Sequence, residues 1–177
     1  MSAKVNRGKD FEDEIKKSFE KVENCSVDRL HDQMSGYAGS SNICDFIVFR
    51  KPYQYYIECK ACYGNTWNFH NLTKNQREGM LAKSPIDGVI AGVILWFIDH
   101  DKTVFIPIEA IDSRIESGQK SVNVKTMERE YGMNCIPISG KKRRIFFDYD
   151  MKEFMDYIQW LEEFDPMELG VGGECYE

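Results

Sequence analysis

The spacing of apolar residues predicts a helix near the start of the chain and a β-hairpin after it. In residues 9–23 the apolar positions recur at spacings of four, four and three, the pattern of an amphipathic helix: Phe11, Ile15, Phe19 and Val22. Residues 24–43 show no such period and include SGYAGSSN, so we expect irregular structure there. CDFIVF and QYYIECK then alternate around Lys51-Pro52, which predicts two strands joined by a turn.

The later pattern alternates between helices and strands. We expect helices or helical turns over 73–83, 109–116, 125–131 and 151–164, and strands over 88–98 and 103–108. Two further apolar segments, CIPIS and RIFFDYD, flank a basic turn, GKKRR (140–144). The last helix is predicted to place Trp160 on its apolar side. The order predicts one mixed α/β domain over residues 1–164, followed by an acidic and flexible tail over 165–177.

The charge of the chain is divided between its body and its C-terminus. The 177 residues carry a net charge of −6, but eight acids follow Lys152, so residues 1–152 hold 23 basic and 21 acidic side chains. A nearly neutral body with basic clusters remains compatible with a nucleic-acid partner. The charged N-terminus and the short apolar run GVIAGVILWFI predict no membrane span, and the cysteines fit reduced thiols. We therefore expect a cytoplasmic protein.

Three ionisable residues converge on the predicted hairpin. A turn centred between Lys51 and Pro52 places Asp45 opposite Glu58, with Cβ atoms about 5 Å apart. Lys60 shares the face of Glu58, because side chains alternate along a strand. Two carboxylates this close favour a cation between them, and oxygen ligands suit Mg²⁺. The alternative is a solvated hairpin face with ordinary surface charges.

Glu12 lies at the edge of the apolar stripe of the first helix. Ile15 and Phe19 follow it at positions i+3 and i+7, so its carboxylate is near the buried border and needs a partner. It also fits an acid in the first turn that interacts favourably with the helix dipole. The helix pattern alone leaves both interpretations open.

These residues resemble a known nuclease superfamily. The quartet Glu12, Asp45, Glu58 and Lys60 is similar to that of the PD-(D/E)XK nucleases, whose core is a helix followed by a hairpin carrying D…ExK. More closely, the chain resembles the RecU Holliday junction resolvases of bacteria and their phage relatives. The resemblance extends over about residues 6–150, in the right order, through NRGKDFEDEI, DF…YIECK, NFHNLTKNQREGM, SGQKSVNVKTMEREYG and RIFFDYD.

The resemblance implies a fold and a set of site residues. The fold would be restriction-endonuclease-like, with a mixed β-sheet flanked by helices. Glu12, Asp45, Glu58 and the main-chain carbonyl of Cys59 would hold Mg²⁺, for which Mn²⁺ can substitute, while Lys60 would position the hydrolytic water. Gln76 matches a site glutamine of the family, and it also fits a capping box with Thr73. Ser41 resembles a serine that contacts the scissile phosphate in related archaeal resolvases, a role for which Ser40 competes.

The resemblance also implies the substrate and the assembly. The chain would be a homodimeric endodeoxyribonuclease that binds branched DNA and resolves four-way junctions by paired symmetric nicks. Contacts would be mainly to phosphates, from these basic residues: Arg7, Lys9, Lys141, Lys142, Arg143 and Arg144. A solvated turn is the alternative for the GKKRR group. Another endonuclease of the superfamily, or a non-catalytic relative that binds DNA or protein, remains the alternative for the whole chain.

Overall fold

The computed structural model describes residues 7–30, 42–129 and 134–163. The helices of these residues are α1 (Arg7–Phe19), α2 (Lys74–Leu81), α3 (Ile108–Glu116), α4 (Val124–Arg129) and α5 (Met151–Glu163). The strands are β1 (Ser26–Arg29), β2 (Phe46–Arg50), β3 (Tyr53–Cys62), β4 (Thr66–Asn68), β5 (Val89–Phe97), β6 (Lys102–Pro107), β7 (Ser121–Asn123), β8 (Ile136–Pro137), β9 (Gly140–Lys142) and β10 (Phe147–Tyr149).

Six strands form one mixed sheet in the order β1-β2-β3-β5-β6-β8. The strands β1, β2 and β3 are antiparallel neighbours, while β3 and β5 run parallel and are connected through α2. β6 and β8 then continue the sheet in antiparallel order. Two smaller two-stranded sheets, β4–β7 and β9–β10, lie outside it.

Helices cover both faces of the mixed sheet. α1 and α5 pack on one face, where alternate strand residues such as Ile57 and Trp96 are buried with Phe11 and Phe154. α2, α3 and α4 pack on the other face, where Val93 is buried. β5 is therefore apolar on both faces, which explains its uninterrupted hydrophobic sequence.

The predicted fold class is confirmed. A mixed sheet is flanked by helices, and a helix precedes an antiparallel hairpin that carries Asp45 and the Glu58-x-Lys60 triplet, as in the restriction-endonuclease-like core. The predicted register is also confirmed, because Phe46 pairs with Ile57 across β2 and β3. That pairing places residue 45 opposite residue 58.

Several local predictions were wrong. β1 lies in the segment expected to be irregular, and its pairing with β2 outweighs its weak four-residue pattern. The turn predicted for GKKRR is only partly right: Gly140–Lys142 is strand β9, while Arg143 and Arg144 lie in the reversal before Phe147–Tyr149. Trp160 is 53% exposed, because it stacks on Tyr157 at the surface of α5 rather than in the core.

Two further findings concern the whole described part. No helix among these residues is long and apolar enough to cross a membrane. The five described cysteines are free. The predicted acidic tail and Ser41 lie outside the described residues.

Candidate active site

The ends of β2 and β3 bring two carboxylates and an ammonium group together. We call Asp45, Glu58 and Lys60 the strand-end cluster. Asp45 accepts a hydrogen bond at Oδ2 from the backbone N–H of Cys59, at 2.8 Å, which holds it against β3. Lys60 Nζ lies 2.6 Å from Glu58 Oε1, because the two side chains are two positions apart on one face of the strand.

Glu58 is the most deeply buried charged residue of the cluster. Its side chain is 2% exposed, and Oε1 also accepts a hydrogen bond from Gln76 Nε2 at 2.6 Å. Oε2 is buried and has no hydrogen-bond partner among the described residues. Burial first, and then the charge of Asp45, raises the pKa of Glu58 to about 7. The carboxylate therefore needs a further positive charge when it is ionised at neutral pH.

α2 holds Gln76 in place by its own N-terminal cap. Thr73 Oγ1 accepts from the backbone N–H of Gln76 at 3.2 Å, and Gln76 Oε1 accepts from the backbone N–H of Thr73 at 3.0 Å. The amide oxygen of Gln76 therefore serves the cap, while its amide nitrogen donates to Glu58. The capping box is therefore present, and the same side chain also contacts Glu58.

α2 also packs against the segment that leads into Asp45. Asn75 Nδ2 donates to the carbonyl of Asn42 at 3.2 Å. A Cβ placed on Gly79 would lie 2.3 Å from Cγ2 of Ile43, so only glycine permits this close approach. One helix therefore fixes both carboxylates of the cluster, Glu58 through Gln76 and Asp45 through the preceding residues.

Glu12 lies beside this cluster but has its own cation. Arg29, on β1, donates to the carboxylates of both Glu12 and Asp13, the latter at 2.6 Å. We call these three residues the corner cluster. Burial and the charge of Asp45 raise the pKa of Glu12, while Arg29 lowers it. The influence of Asp45 shows that Glu12 is near the strand end, although its carboxylate is paired with Arg29.

A divalent cation fits the strand-end cluster by the chemistry of its donors. Asp45 and Glu58 supply two carboxylates against one lysine, and the unpartnered Oε2 of Glu58 is a ready oxygen ligand. Within the described ranges, no three His, Cys, Asp or Glu side chains are grouped to hold a metal ion. Two carboxylates, rather than three, are thus available at this point.

The predicted DNA contacts lie on a hairpin that packs next to α1. We call residues 140–149 the basic hairpin, and its four basic side chains are exposed: Lys141, Lys142, Arg143 and Arg144. Two of them are paired with acids, Lys142 with Asp101 and Arg143 with Asp148 at 3.3 Å.

The first turn of α1 brings further basic residues to the same side. The Arg7 guanidinium lies 5.8 Å from the centre of the Phe146 ring, which connects the start of α1 to the basic hairpin. Lys9 is exposed one turn before Asp13. The predicted basic residues that the structure describes therefore lie on two neighbouring elements.

Sequence reasoning missed Arg29 and Asn75 as residues that support the site. Arg29 ends a four-residue strand whose only signal is the alternation in SVDR, with Val27 and Arg29 turned inward. Asn75 carries no pattern of its own, and its contact with Asn42 depends on the packing of α2.

Comparisons with known proteins agree with this geometry. A family model described as RecU, Recombination protein U, matches residues 14–162, a span that includes the strand-end cluster, Gln76 and the basic hairpin. Glu12 lies just before the matched span. No curated protein sequence matches the chain.

A solved structure gives a more distant likeness. It is Hjc, a Holliday junction resolvase from the archaeal hyperthermophile Archaeoglobus fulgidus, with a TM-score of 0.44 and 19% identity over 58% of this chain and 78% of that chain. At this distance it identifies no residues. The family model, by contrast, covers most of the chain, and the chain belongs to the RecU family of Holliday junction resolvases.

Proposed function

We propose that the chain is a divalent-metal-dependent endodeoxyribonuclease that resolves four-way DNA junctions by paired symmetric nicks. Membership of the RecU family implies a nuclease. The observation that carries the metal dependence is the buried Glu58, whose Oε2 has no partner in the described structure while burial and then Asp45 raise its pKa.

The cation, Mg²⁺ or Mn²⁺, would be held by Asp45 and Glu58, with Glu12 and the main-chain carbonyl of Cys59 as further ligands. When bound, it would polarise the scissile phosphate and stabilise the charge that develops there. Lys60 and Gln76 both donate to Oε1 of Glu58 and leave Oε2 directed elsewhere. This division of the two oxygens supports Glu58 as a ligand.

Lys60 would position the attacking water. Its ammonium group carries three donors and accepts no hydrogen bond, so while one donor holds Glu58 the others can hold a water and a phosphate oxygen. The positive charge also offsets the negative charge that develops during attack. Gln76 would act by keeping Glu58 in this orientation.

The basic hairpin and the first turn of α1 would contact DNA phosphates through Arg7, Lys9 and residues 141–144, with Ser41 near the scissile phosphate. A homodimer would place two such sites on one junction, and the two-fold symmetry of the dimer suits symmetric cuts. Because phosphate contacts carry no sequence information directly, selectivity would come from the shape of the branch.

Cleavage of a mobile four-way junction, beside linear duplex and flap DNA, tests this function. Asp45→Asn and Lys60→Ala should each lower junction cleavage at least about 10²-fold, because each removes charge at the reacting phosphate. Asp87→Asn and Lys51→Ala, both exposed at the opposite end of the β2–β3 hairpin, are matched controls and should cut normally.

The substrate panel separates the alternatives. Symmetric nicks on the junction alone support the resolvase. Equal cutting of linear duplex would assign the site to another class of endonuclease. No cutting with Mg²⁺ or Mn²⁺ would contradict a nuclease and favour a binding role.

A further inference from the structure

Two segments without any acidic residue lie side by side next to α2. Residues 59–77 and 117–127 contain no Asp or Glu, in a chain whose net charge is −6. β4 and β7 pair these segments in antiparallel order, and the backbone N–H of Phe69 donates to the carbonyl of Lys120 at 2.9 Å. The fold therefore combines two stretches that are each basic or neutral.

An open cleft of about 470 Å³ lies on this surface. We call it the acid-free cleft, and its polar lining consists of Asn68, His70, Lys74, Arg77, Gln119 and Lys120. No carboxylate is among its lining residues. Arg77 is partly neutralised by Asp112, and Lys74 lies 3.6 Å from Glu78. His70 and Lys120 are exposed and make no ion pair with the described residues.

The helix α2 connects the acid-free cleft to the strand-end cluster. Lys74 and Arg77 flank Gln76 on the first turns of α2, and Gln76 donates to Glu58. The segment that forms β4 starts only six residues after Lys60, so it spans at most about 20 Å. A strand of DNA held at Glu58 would therefore reach the cleft within a few nucleotides.

Two aromatic residues of the segment, Trp67 and Phe69, are buried, and Phe69 lines the cleft. Trp67 and Phe69 are 1% and 6% exposed and contact each other edge to face at 5.7 Å. They are thus packed in the core rather than available for stacking on bases. The exposed groups above them are amides, lysines and a histidine, which are donors suited to phosphate oxygens.

The acid-free cleft and the basic hairpin are similar in the state of their charges, since Lys74 and Arg77 lie near acids while Lys120 makes no ion pair with the described residues. Two of the basic hairpin's side chains are already paired with acids, Lys142 and Arg143. Counterion release on DNA binding is greatest where the positive charge is not already neutralised by the protein.

We propose that the acid-free cleft is a second DNA-contact surface, which binds the phosphate backbone of the strand that leaves the strand-end cluster past α2. The proposal rests on the proposed function, since it needs DNA at Glu58. It adds a contact surface on the opposite side of the cluster from the basic hairpin and α1. Lys74 and Lys120 each bind a phosphate, and His70 in the same cleft is a further donor.

Binding of a four-way junction in EDTA, measured over a series of salt concentrations, tests the proposal. The double variant Lys74→Gln, Lys120→Gln should bind about tenfold more weakly near 0.1 M salt. The slope of log binding constant against log salt concentration should become about 1.8 less steep, since each lost phosphate contact removes about 0.9 from it.

The control is the double variant Lys51→Gln, Lys83→Gln, which removes the same charge at the turn of the β2–β3 hairpin and just after the C-terminus of α2. It should keep the salt dependence of the unmodified chain. An equal loss in both doubles, or no loss in the first, overturns the acid-free cleft as a DNA surface. If the unmodified chain neither binds nor cuts junctions, the proposed function itself fails, and that result is distinct from the other two.

Discussion

The strand-end cluster and the corner cluster hold the same charges in different surroundings. Each combines two carboxylates with one cation: Asp45 and Glu58 with Lys60, and Glu12 and Asp13 with Arg29. In the corner cluster the guanidinium donates to both carboxylates, and the Glu12 side chain is 24% exposed. In the strand-end cluster the ammonium contacts Glu58, whose side chain is 2% exposed.

This difference supports our proposal that the cation is held mainly at the strand-end cluster. Arg29 is a planar fork with donors for two acids, and water reaches both partners. Lys60 is a point charge, and it leaves Oε2 of Glu58 buried without a partner. A buried carboxylate with one oxygen that lacks a hydrogen-bond partner destabilises the fold when it is ionised. A cation that binds this oxygen offsets the destabilisation.

The largest expected loss of cleavage comes from a substitution in the strand-end cluster. Glu58→Gln should lower junction cleavage at least about 10³-fold and abolish the rise in melting temperature that Mn²⁺ gives, because the buried oxygen ligand is lost. The amide is neutral, so the metal-free variant should fold at least as stably as the unmodified chain at pH 8. Cleavage and thermal unfolding with and without Mn²⁺ measure these effects.

Glu12→Gln is the matched variant in the corner cluster. It should lower cleavage only about 10- to 100-fold, a loss similar to that of a supporting residue of a metal site, because Arg29 already pairs with Glu12 and weakens it as a ligand. Most of the Mn²⁺ stabilisation should remain. The reverse order, with Glu12→Gln the more damaging variant, would show that the main ligand is in the corner cluster.

The next effect concerns the pH dependence of stability. Glu58 has a pKa raised from 4.5 to about 7 in the folded protein. Its contribution to stability is therefore fully present below pH 4.5 and is lost as the pH rises through about 7, by up to about 3 kcal/mol. In EDTA, the unmodified chain should lose stability over this window relative to Glu58→Gln, as measured by urea unfolding.

The same unfolding measurement in the presence of Mg²⁺ tests whether Glu58 binds the cation. The cation competes with the proton for Glu58, so it should stabilise the protein much more at pH 8 than at pH 5. Equal stabilisation at both pH values would mean that Glu58 does not bind the cation. If the difference in the free energy of unfolding between the unmodified chain and Glu58→Gln does not change with pH, then water solvates the Glu58 carboxylate in the folded protein.

The sequence alone predicted most of the strand-end cluster, because its geometry is local. Strand alternation and the position of the turn were enough to place Asp45 opposite Glu58 and to put Lys60 on the same face. The capping-box spacing was enough to predict the orientation of Gln76 toward Thr73. Short-range sequence patterns were therefore enough to predict the hairpin and the start of α2.

The corner cluster could not be predicted in the same way, because it depends on tertiary packing. Glu12 and Arg29 are brought together when β1 joins the edge of the sheet beside α1, and four residues give too weak a pattern to predict that strand. Nor does the sequence tell how deeply Glu58 is buried, since this depends on α2 packing over it through Gly79 and Asn75.

The smallest expected effect comes from replacing Arg29, the cation of the corner cluster. Arg29→Gln leaves Glu12 and Asp13 without a shared donor, and we expect a loss of about 1 kcal/mol in the free energy of unfolding, since the pair is only partly buried. Junction cleavage should fall about tenfold. Arg29→Lys should restore part of the stability, but one ammonium group cannot reproduce both contacts.

A pH profile separates a positioning role of Arg29 from a purely structural one. Arg29 lowers the pKa of Glu12, while burial and Asp45 raise it. Removal of Arg29 should therefore shift the acidic limb of the cleavage profile to higher pH, because Glu12 then holds its proton longer. If Arg29→Gln lowers the melting temperature but leaves the limb in place, Arg29 only joins β1 to α1. Glu12 would then reach the strand-end cluster without its help.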